Sequence, residues 1–350
     1  MSRLIIADIK SPNNKGISTG HFFAVADNYY KMFSAKVKTL IAGGPIYSSR
    51  FDDSQLLHLP NDVMLSGETL IKSKLKYMQN SWMLFKQAKG DTIIVQQGGV
   101  LTSFITIALF YHRKSRLFLI QYSREGVDSK LKKLLYSIVK HKIDGIICPN
   151  RMVGEAYARP YCVVPDYIYI GDSLRQPMKT YKDKKYDFCM IGRISPEKGI
   201  VNVARLLCNT KYKVLIAGKP QNDELAKSLH DICDDSSNIV LRLDYVSDAD
   251  YLDYLNDSRY AILNYSGEYS KRSSGVVFDT LFNGVPVIGC RCSALQFIED
   301  RGLGMLCGDI MQFNPEIVLN EEFHEECLNN IASYKKSHEQ YKKKLWKFIL

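Results

Sequence analysis

Ser266–Gly289 reads SGEYSKRSSGVVFDTLFNGVPVIG, and it falls into three pieces. A polar, basic, glycine-containing turn comes first. A helix-like run, Val276–Phe282, follows, and Asn283-Gly284-Val285-Pro286 then leads into an apolar strand. Backbone N–H groups that open a helix have no partner inside it, so they suit an anion. Lys271 and Arg272 place full positive charge beside them, Ser273 and Ser274 add hydroxyls, and Gly275 and Val276 supply the N–H groups. Asp279 lies one helical turn past Gly275, on the face that looks back over the loop. Such a set could hold a phosphate and a hydroxyl-rich group together, as in a sugar nucleotide. The pattern equally suits an ordinary loop–helix–strand unit of an α/β fold.

Working outward, Lys185–Gly199 (KYDFCMIGRISPEKG) has the same logic. The apolar run Phe188–Ile191 reads as a buried strand. Gly192-Arg193 leaves it, a polar loop runs through Pro196, and Lys198-Gly199 leads into a helix that includes Val201–Leu207. Arg193 and Lys198 leave one strand end, close enough to bracket a diphosphate. A planar guanidinium fork and an ammonium point charge both suit phosphate oxygens. Val214–Pro220 (VLIAGKP) is another strand ending in a glycine turn, at Gly218-Lys219.

In this order the three segments resemble the C-terminal half of GT-B glycosyltransferases, in particular the retaining family 4 group. That family carries G-R-x-x-x-x-K-G, here Gly192-Arg193 to Lys198-Gly199, and a strand ending in A-G-x, here Ala217-Gly218-Lys219. A glutamate-containing loop and helix follow, ending in G-x-P-V-I, here Gly284–Ile288. The likeness is looser in the first half. Asp144–Asn150, Val163–Tyr167 and the glycine-containing loop and helix of Gly16–Lys31 occupy family positions. Two departures stand out. Of the family's two glutamates, eight residues apart, the second position holds Asp279 and the first holds Lys271, which is no carboxylate. Glu268, three residues earlier, is the substitute available if the loop is shaped differently. The family's frequent N-domain histidine is replaced by Gln121-Tyr122-Ser123 after the run Leu117–Ile120.

The chain has 350 residues, of which 46% are apolar. Single cores stop growing near ~250–300 residues, so two domains are expected. Strand candidates alternate with helix-like segments along both halves, which points to parallel sheets covered by helices. They are Leu4–Ala7, Val37–Ile41, Thr92–Val95, Leu117–Gln121 and Gly145–Cys148, then Phe188–Ile191, Val214–Ala217, Ile239–Arg242, Tyr260–Asn264 and Val287–Cys290. The resemblance implies an α/β fold of the GT-B type, two Rossmann-like domains with parallel sheets facing across a cleft. Residues 1–170 would bind acceptor and 186–330 the nucleotide sugar. Residues 331–350 would form a basic C-terminal helix that packs back on the first domain.

Nine cysteines are scattered without a C-x-x-C pair, and each is expected to be buried and reduced. The stretch MSRLIIADIK reads as a first strand, with no secretion signal, and no run is long enough to span a bilayer. A cytoplasmic location is therefore expected, with peripheral contact to the membrane as an option. The formal charge is +10, and the last twenty residues, with six lysines and one glutamate, contribute five of it. Their Leu345, Trp346, Phe348, Ile349 and Leu350 suit either an anionic membrane surface or a packed terminal helix. No nucleic-acid-binding motif is present. A G-x-G-x-x-G turn after the first strand and a G-x-x-x-x-G-K-[ST] loop are also missing, which argues against a dehydrogenase or a triphosphatase.

The resemblance implies a hexosyltransferase that moves a sugar from a nucleotide-diphosphate sugar to a saccharide or lipid-linked acceptor. Retention and a role in bacterial O-antigen or capsule assembly are the family's commonest context, and neither a metal nor another cofactor is expected. Arg193 and Lys198 are the expected catalytic groups, stabilising charge on the leaving diphosphate. His21 is the one histidine placed to act as a base or acceptor contact. Donor binding is assigned to Gly192, Gly218, Lys219, Glu268, Lys271, Ser273, Ser274, Gly275, Val276 and Asp279. The acceptor side is assigned to Gly16, Gly20, Gly98 and Gly99. A sugar-nucleotide epimerase of the same architecture and a non-catalytic partner subunit remain alternatives.

Overall fold

The structure is a computed structural model. It describes residues 3–14, 17–18, 22–63, 68–96, 98–164, 177–267, 270 and 274–350. The chain divides into two compact units, Met1–Ile170 with His338–Leu350, and Gly171–Ser337.

The first unit is built on a seven-stranded sheet of order β5-β4-β1-β6-β7-β8-β9. Its strands are β1 (Leu4–Ala7), β4 (Thr39–Gly43), β5 (Leu56–His58), β6 (Thr92–Val95), β7 (Arg116–Ile120), β8 (Gly145–Cys148) and β9 (Tyr161–Val163), and every pairing is parallel. A short antiparallel pair, β2 (Asn13–Asn14) and β3 (Ile17–Ser18), follows β1. Strands buried on both faces read as continuous apolar runs, which is why LIIA, TIIV and GIIC were legible as strands.

Successive side chains on these strands serve opposite faces. Ile5, Ala7, Ile93, Val95, Leu117, Leu119 and Ile146 pack against helices α2 (Leu70–Gln87), α3 (Leu101–Phe110), α4 (Lys130–Val139) and α5 (Arg151–Ala156). Leu4, Ile6, Ile94, Phe118, Ile120 and Ile147 pack against α1 (Phe22–Ser34) and against Leu345 and Ile349.

The second unit holds a six-stranded parallel sheet of order β12-β11-β10-β13-β14-β15. The strands are β10 (Tyr186–Ile191), β11 (Val214–Ala217), β12 (Ile239–Arg242), β13 (Ser258–Leu263), β14 (Val287–Cys290) and β15 (Gly304–Cys307). Its helices are α6 (Ile200–Leu207), α7 (Asp223–Cys233), α8 (Asp248–Asn256), α9 (Gly275–Phe282), α10 (Gln296–Asp300) and the part of α11 (Glu321–Ile349) that ends at Ser337. Both sheets are α/β and parallel, as expected.

In each sheet the strand order reverses once. The chain starts at β1 and runs to β4 and β5 on one side, then resumes at β6 on the other. In the second sheet it starts at β10, runs to β11 and β12, and resumes at β13. Ligands of open α/β sheets bind outside the carboxyl ends of the strands at such a reversal. The topology therefore marks two places, past β1 and β6 and past β10 and β13.

The basic C-terminal segment is the last part of one 29-residue helix, not a separate element over 331–350. Leu345 and Ile349 are fully buried, Trp346 Nε1–H donates to the Met32 carbonyl at 3.2 Å, and Phe348 stands edge-on to Phe118. A Cβ at Gly145 would lie 2.4 Å from the Phe348 ring, so glycine there makes room for the helix. Leu345, Trp346, Phe348 and Ile349, which suited a membrane surface, are thus committed to the core of the first unit, while Leu350 stays exposed. Of the nine cysteines, all unpaired, Cys208, Cys290, Cys292 and Cys307 are half-buried and the other five buried. Among the described residues no helix is long and apolar enough to cross a membrane.

Deleting a fully buried leucine side chain removes its transfer free energy and leaves a cavity. Leu345→Ala is expected to destabilise the first unit by about 2–5 kcal/mol, read as a lower urea midpoint for its unfolding transition.

Candidate functional site

The reversal in the second sheet gathers the residues singled out past β10 and β11. Gly192 leaves β10 with φ +106° and Gly218 leaves β11 with φ +147°, conformations that disfavour any side chain. A Cβ on Gly218 would stand 1.9 Å from the Gly192 carbonyl oxygen, so the two turns touch backbone to backbone. The contact is locked by Gly192 N–H donating to Ala217 O at 2.9 Å and Ile194 N–H donating to Lys219 O at 3.1 Å. Lys219 contributes that carbonyl, while its side chain is exposed.

After Gly192 the chain makes a short 3₁₀ turn, Pro196–Lys198, closed by left-handed Gly199. The turn is held to the end of β13: Ser266 N–H donates to Glu197 O at 2.8 Å, and Asn264 Nδ2 donates to Gly199 O at 3.4 Å. Lys198 is thereby turned inward, with only 9% of its surface exposed. A Cβ on Gly192 would lie 3.6 Å from Lys198 Nζ and 3.6 Å from Val276 Cγ2, so the absence of a side chain at Gly192 leaves the approach to the ammonium open.

Burial pulls the Lys198 ammonium down to about 8, and the guanidinium of Arg193 adds to the effect. Arg193 itself is exposed. Two cations near one strand end, one of them desolvated, repel each other in the unliganded protein. A bound anion relieves that repulsion.

Helix α9 begins at Gly275, with Ser274 as its N-cap residue. Ser274 was expected to offer its hydroxyl to a phosphate. Instead it is 3% exposed, and its Oγ lies 2.7 Å from the Tyr265 hydroxyl in a buried hydrogen bond. The reason is geometric: Tyr265, two residues past the end of β13, meets the loop as it turns into α9. Ser274 makes no side-chain cap, so the first N–H groups of α9 at Gly275 and Val276 are not consumed by it. Asp279, half-buried one turn on, raises the pKa of the buried Tyr251 hydroxyl, after desolvation, by its negative charge.

The structure thus brings Gly192, Lys198, Gly218 and Val276 together, with Arg193 near Lys198, and places Gly275 and Asp279 on the same helix as Val276. Glu268, Lys271 and Ser273 lie outside the described residues, as do His21, Gly16 and Gly20. Reading the sequence missed Asn264, Tyr265 and Tyr251. The first two were accessible as polar residues just past an apolar strand.

In the first unit the reversal lies past β1 and β6. Asp8, Gln96 and Gln121 stand at the ends of β1, β6 and β7, each 4% exposed or less. Asp8 is satisfied locally: Tyr47 OH donates to it at 2.9 Å and Lys10 N–H at 3.1 Å. Burial still pushes its carboxyl up to about 6. Gln121 Oε1 accepts from Tyr157 OH at 3.2 Å. The Nε2 groups of Gln96 and Gln121 are buried with no partner among the described residues. Gly98 and Gly99 lie over this edge, where a Cβ would stand 2.8 Å from Leu119 Cδ2 and 2.5 Å from Gln121 Oε1 respectively. Both glycines therefore serve the close approach of the loop to the strand end. Among the described residues no three His, Cys, Asp or Glu side chains converge as a metal site.

No family model and no curated relative matches the sequence. Solved structures do match. A complex of Staphylococcus aureus TarM with fondaparinux, α-GlcNAc-glycerol and UDP superposes with a TM-score of 0.70 at 12% identity, covering 100% of both chains. Anabaena HepE in complex with UDP and glucose gives 0.67 at 12% identity, covering 99% of both. A putative UDP-N-acetylglucosamine 2-epimerase from Listeria monocytogenes gives 0.57 at 13% identity, covering 96% of both. Likeness along the whole length of such structures, together with two parallel sheets, gives this chain the GT-B fold.

Proposed function

We propose that the chain is a glycosyltransferase that takes a nucleotide-diphosphate sugar as donor and a saccharide or lipid-linked saccharide as acceptor. The observation that carries this reading is the inward-turned Lys198 ammonium at the reversal of the second sheet, near Arg193 and the start of α9. A desolvated cation is costly to bury, and an anionic ligand that pairs with it offsets the cost. The UDP held by TarM and by HepE supports a nucleoside diphosphate as that ligand.

In the reaction, the acceptor hydroxyl oxygen attacks the anomeric carbon. The bond from that carbon to the diphosphate oxygen breaks, its electron pair leaves with the diphosphate, and the hydroxyl proton passes to a base or to solvent. Negative charge therefore grows on the diphosphate. Pre-placed donors aimed at that charge lower the barrier. Lys198, Arg193 and the N–H groups of Gly275 and Val276 take this role, and Asp279 accepts from the ribose hydroxyls. On the acceptor side, Gln96 and Gln121 offer amide N–H groups to saccharide hydroxyls at the ends of β6 and β7. Transfer of a hexose, retention at the anomeric carbon and a surface-polysaccharide acceptor rest on the motif resemblance alone.

The proposal is tested with a panel of sugar nucleotides, reading released nucleoside diphosphate with and without lipid-linked saccharides. Acceptor-dependent release from one donor is expected. Conversion of the sugar without an acceptor would instead identify an epimerase, the activity named for one structure of the same fold. Arg193→Ala and Lys198→Ala are each expected to lower turnover by about 10²–10³ with the fold intact. Normal turnover in both would remove the diphosphate assignment. Asp279→Ala is expected mainly to weaken donor affinity, and an unchanged affinity would count against the ribose contact.

Lys198 also sets a pH dependence. Its folded value of about 8 lies below the 10.5 of a free lysine. Between those two values the unfolded chain holds the proton more tightly, so the unliganded protein gains stability as pH rises through that window. Binding of a nucleoside diphosphate runs the other way, weakening above pH 8 as the ammonium loses its charge, with proton uptake on binding. Calorimetric titration of uridine and guanosine diphosphates from pH 7 to pH 9.5 checks this, and Lys198→Met is expected to flatten the dependence.

A further inference from the structure

Helices α2, α3 and α4 lie side by side over one face of the first sheet. Their inner sides fill the core through Tyr77, Leu84, Phe104, Ile107, Tyr136 and Val139. Their outer sides are unusual. Ile71, Leu75 and Trp82 on α2, Leu109 on α3, and Leu131, Leu134 and Ile138 on α4 are between 42% and 74% exposed, and Leu70, where α2 starts, is 79% exposed. Elsewhere among the described residues, large exposed apolar side chains occur singly, as Met152, Tyr245, Met311, Ile317 and Leu350. Scattered apolar groups on a surface are ordinary, but a concentration on neighbouring helices marks an interaction face.

The periodicity is that of a second apolar stripe. Leu131, Leu134 and Ile138 repeat at intervals of three and four on the side of α4 opposite Tyr136 and Val139, and Leu75 and Trp82 lie two turns apart on α2. Charge identifies what the stripe faces. The three helices carry seven lysines and no aspartate or glutamate: Lys72, Lys74, Lys76 and Lys86 on α2, and Lys130, Lys132 and Lys133 on α4. Lys76 and Lys132 pair with Glu68 and Asp128 at the helix margins. Lys72, Lys74, Lys86, Lys130 and Lys133 make no ion pair among the described residues. Lys86 Nζ sits 4.8 Å over the Trp82 ring, a cation and an amphipathic aromatic at one level.

We propose that the outer face of α2, α3 and α4 docks on an anionic phospholipid bilayer. The leucines, Ile71, Ile138 and Trp82 enter the boundary between headgroups and acyl chains, and the lysines extend along them to lipid phosphates. Docking is laid on the sides of helices, so it needs no spanning segment. It is also separate from the C-terminal lysines, whose neighbours Leu345, Trp346, Phe348 and Ile349 are spent in the core.

The test is co-sedimentation of the full chain with vesicles, without nucleotide, so its outcome stands apart from the donor reading. Vesicles of phosphatidylcholine alone are compared with phosphatidylcholine containing phosphatidylglycerol. Binding is expected only to the mixed vesicles and is expected to fall in about 0.5 M salt, where surface charges are screened. Leu134→Glu with Ile138→Glu, and separately Lys72→Glu with Lys74→Glu, are expected to lower binding by about tenfold or more. All four positions are exposed, and an unchanged thermal unfolding midpoint confirms that each variant folds. Lys343→Glu with Lys347→Glu on α11 is expected to leave binding unchanged. The proposal is overturned if mixed vesicles are not bound, or if both helix variants bind as the parent does. Concentration-dependent dimerisation without vesicle binding, abolished by the Leu134 and Ile138 changes, would assign the face to a second copy and overturn it as well.

Discussion

The candidate donor site depends on the contact of two glycine backbones. Gly218 rests against Gly192 so closely that one added carbon would overlap the carbonyl of its neighbour. This contact sets the ends of β10 and β11 at one level and lets Gly192 turn away with a positive φ. The following turn then folds back onto the end of β13 through Glu197 and Gly199. Lys198 points inward because that turn is pinned at both sides. The ammonium's burial, its lowered proton affinity and its nearness to the start of α9 all follow from backbone packing that no side chain could replace.

The two units use the same logic with different chemistry. Each interrupts its strand order beside its first strand, and each places polar groups past the strand ends at that interruption. In the second unit those groups are cationic. In the first they are Asp8, Gln96 and Gln121, with the carboxylate satisfied by Tyr47 and Lys10 and the two amides retaining donor capacity. A charged ligand suits the former and a neutral, hydroxyl-bearing one the latter.

The central strands were legible because burial on both faces writes itself as unbroken apolar runs. Leu4–Ala7, Thr92–Val95, Gly145–Cys148, Val214–Ala217 and Val287–Cys290 fall where their sequences place them, as does the edge strand Ile239–Arg242, of which only Ile239 is buried. The other edge strands, β5, β9 and β15, were not, since Leu56–His58 and Tyr161–Val163 have only three residues and Gly304–Cys307 is only partly buried. Val37 ends a helical turn through its bond to Phe33, which moves β4 two residues on from the expected Val37–Ile41. At the site, the glycines and cations that leave strand ends were readable from local chemistry. The pairing of Ser274 with Tyr265 was not, because it depends on how far β13 extends relative to α9. The sequence KLKKLLYSIV of α4 has apolar residues around most of the helix, and only the packing of Tyr136 and Val139 against the sheet decides which of them stay outside.

The last helix carries a consequence for the order of events during synthesis. Residues 1–170 contain every strand of the first sheet, yet one face of that sheet is completed by Leu345 and Ile349. On the ribosome those two side chains emerge only after all of residues 171–337. Until then Leu4, Ile94, Phe118 and Ile147 lack part of their cover. The first unit therefore cannot complete that face until residues 338–350 have been made, by which point the second unit has the whole of its own sequence available.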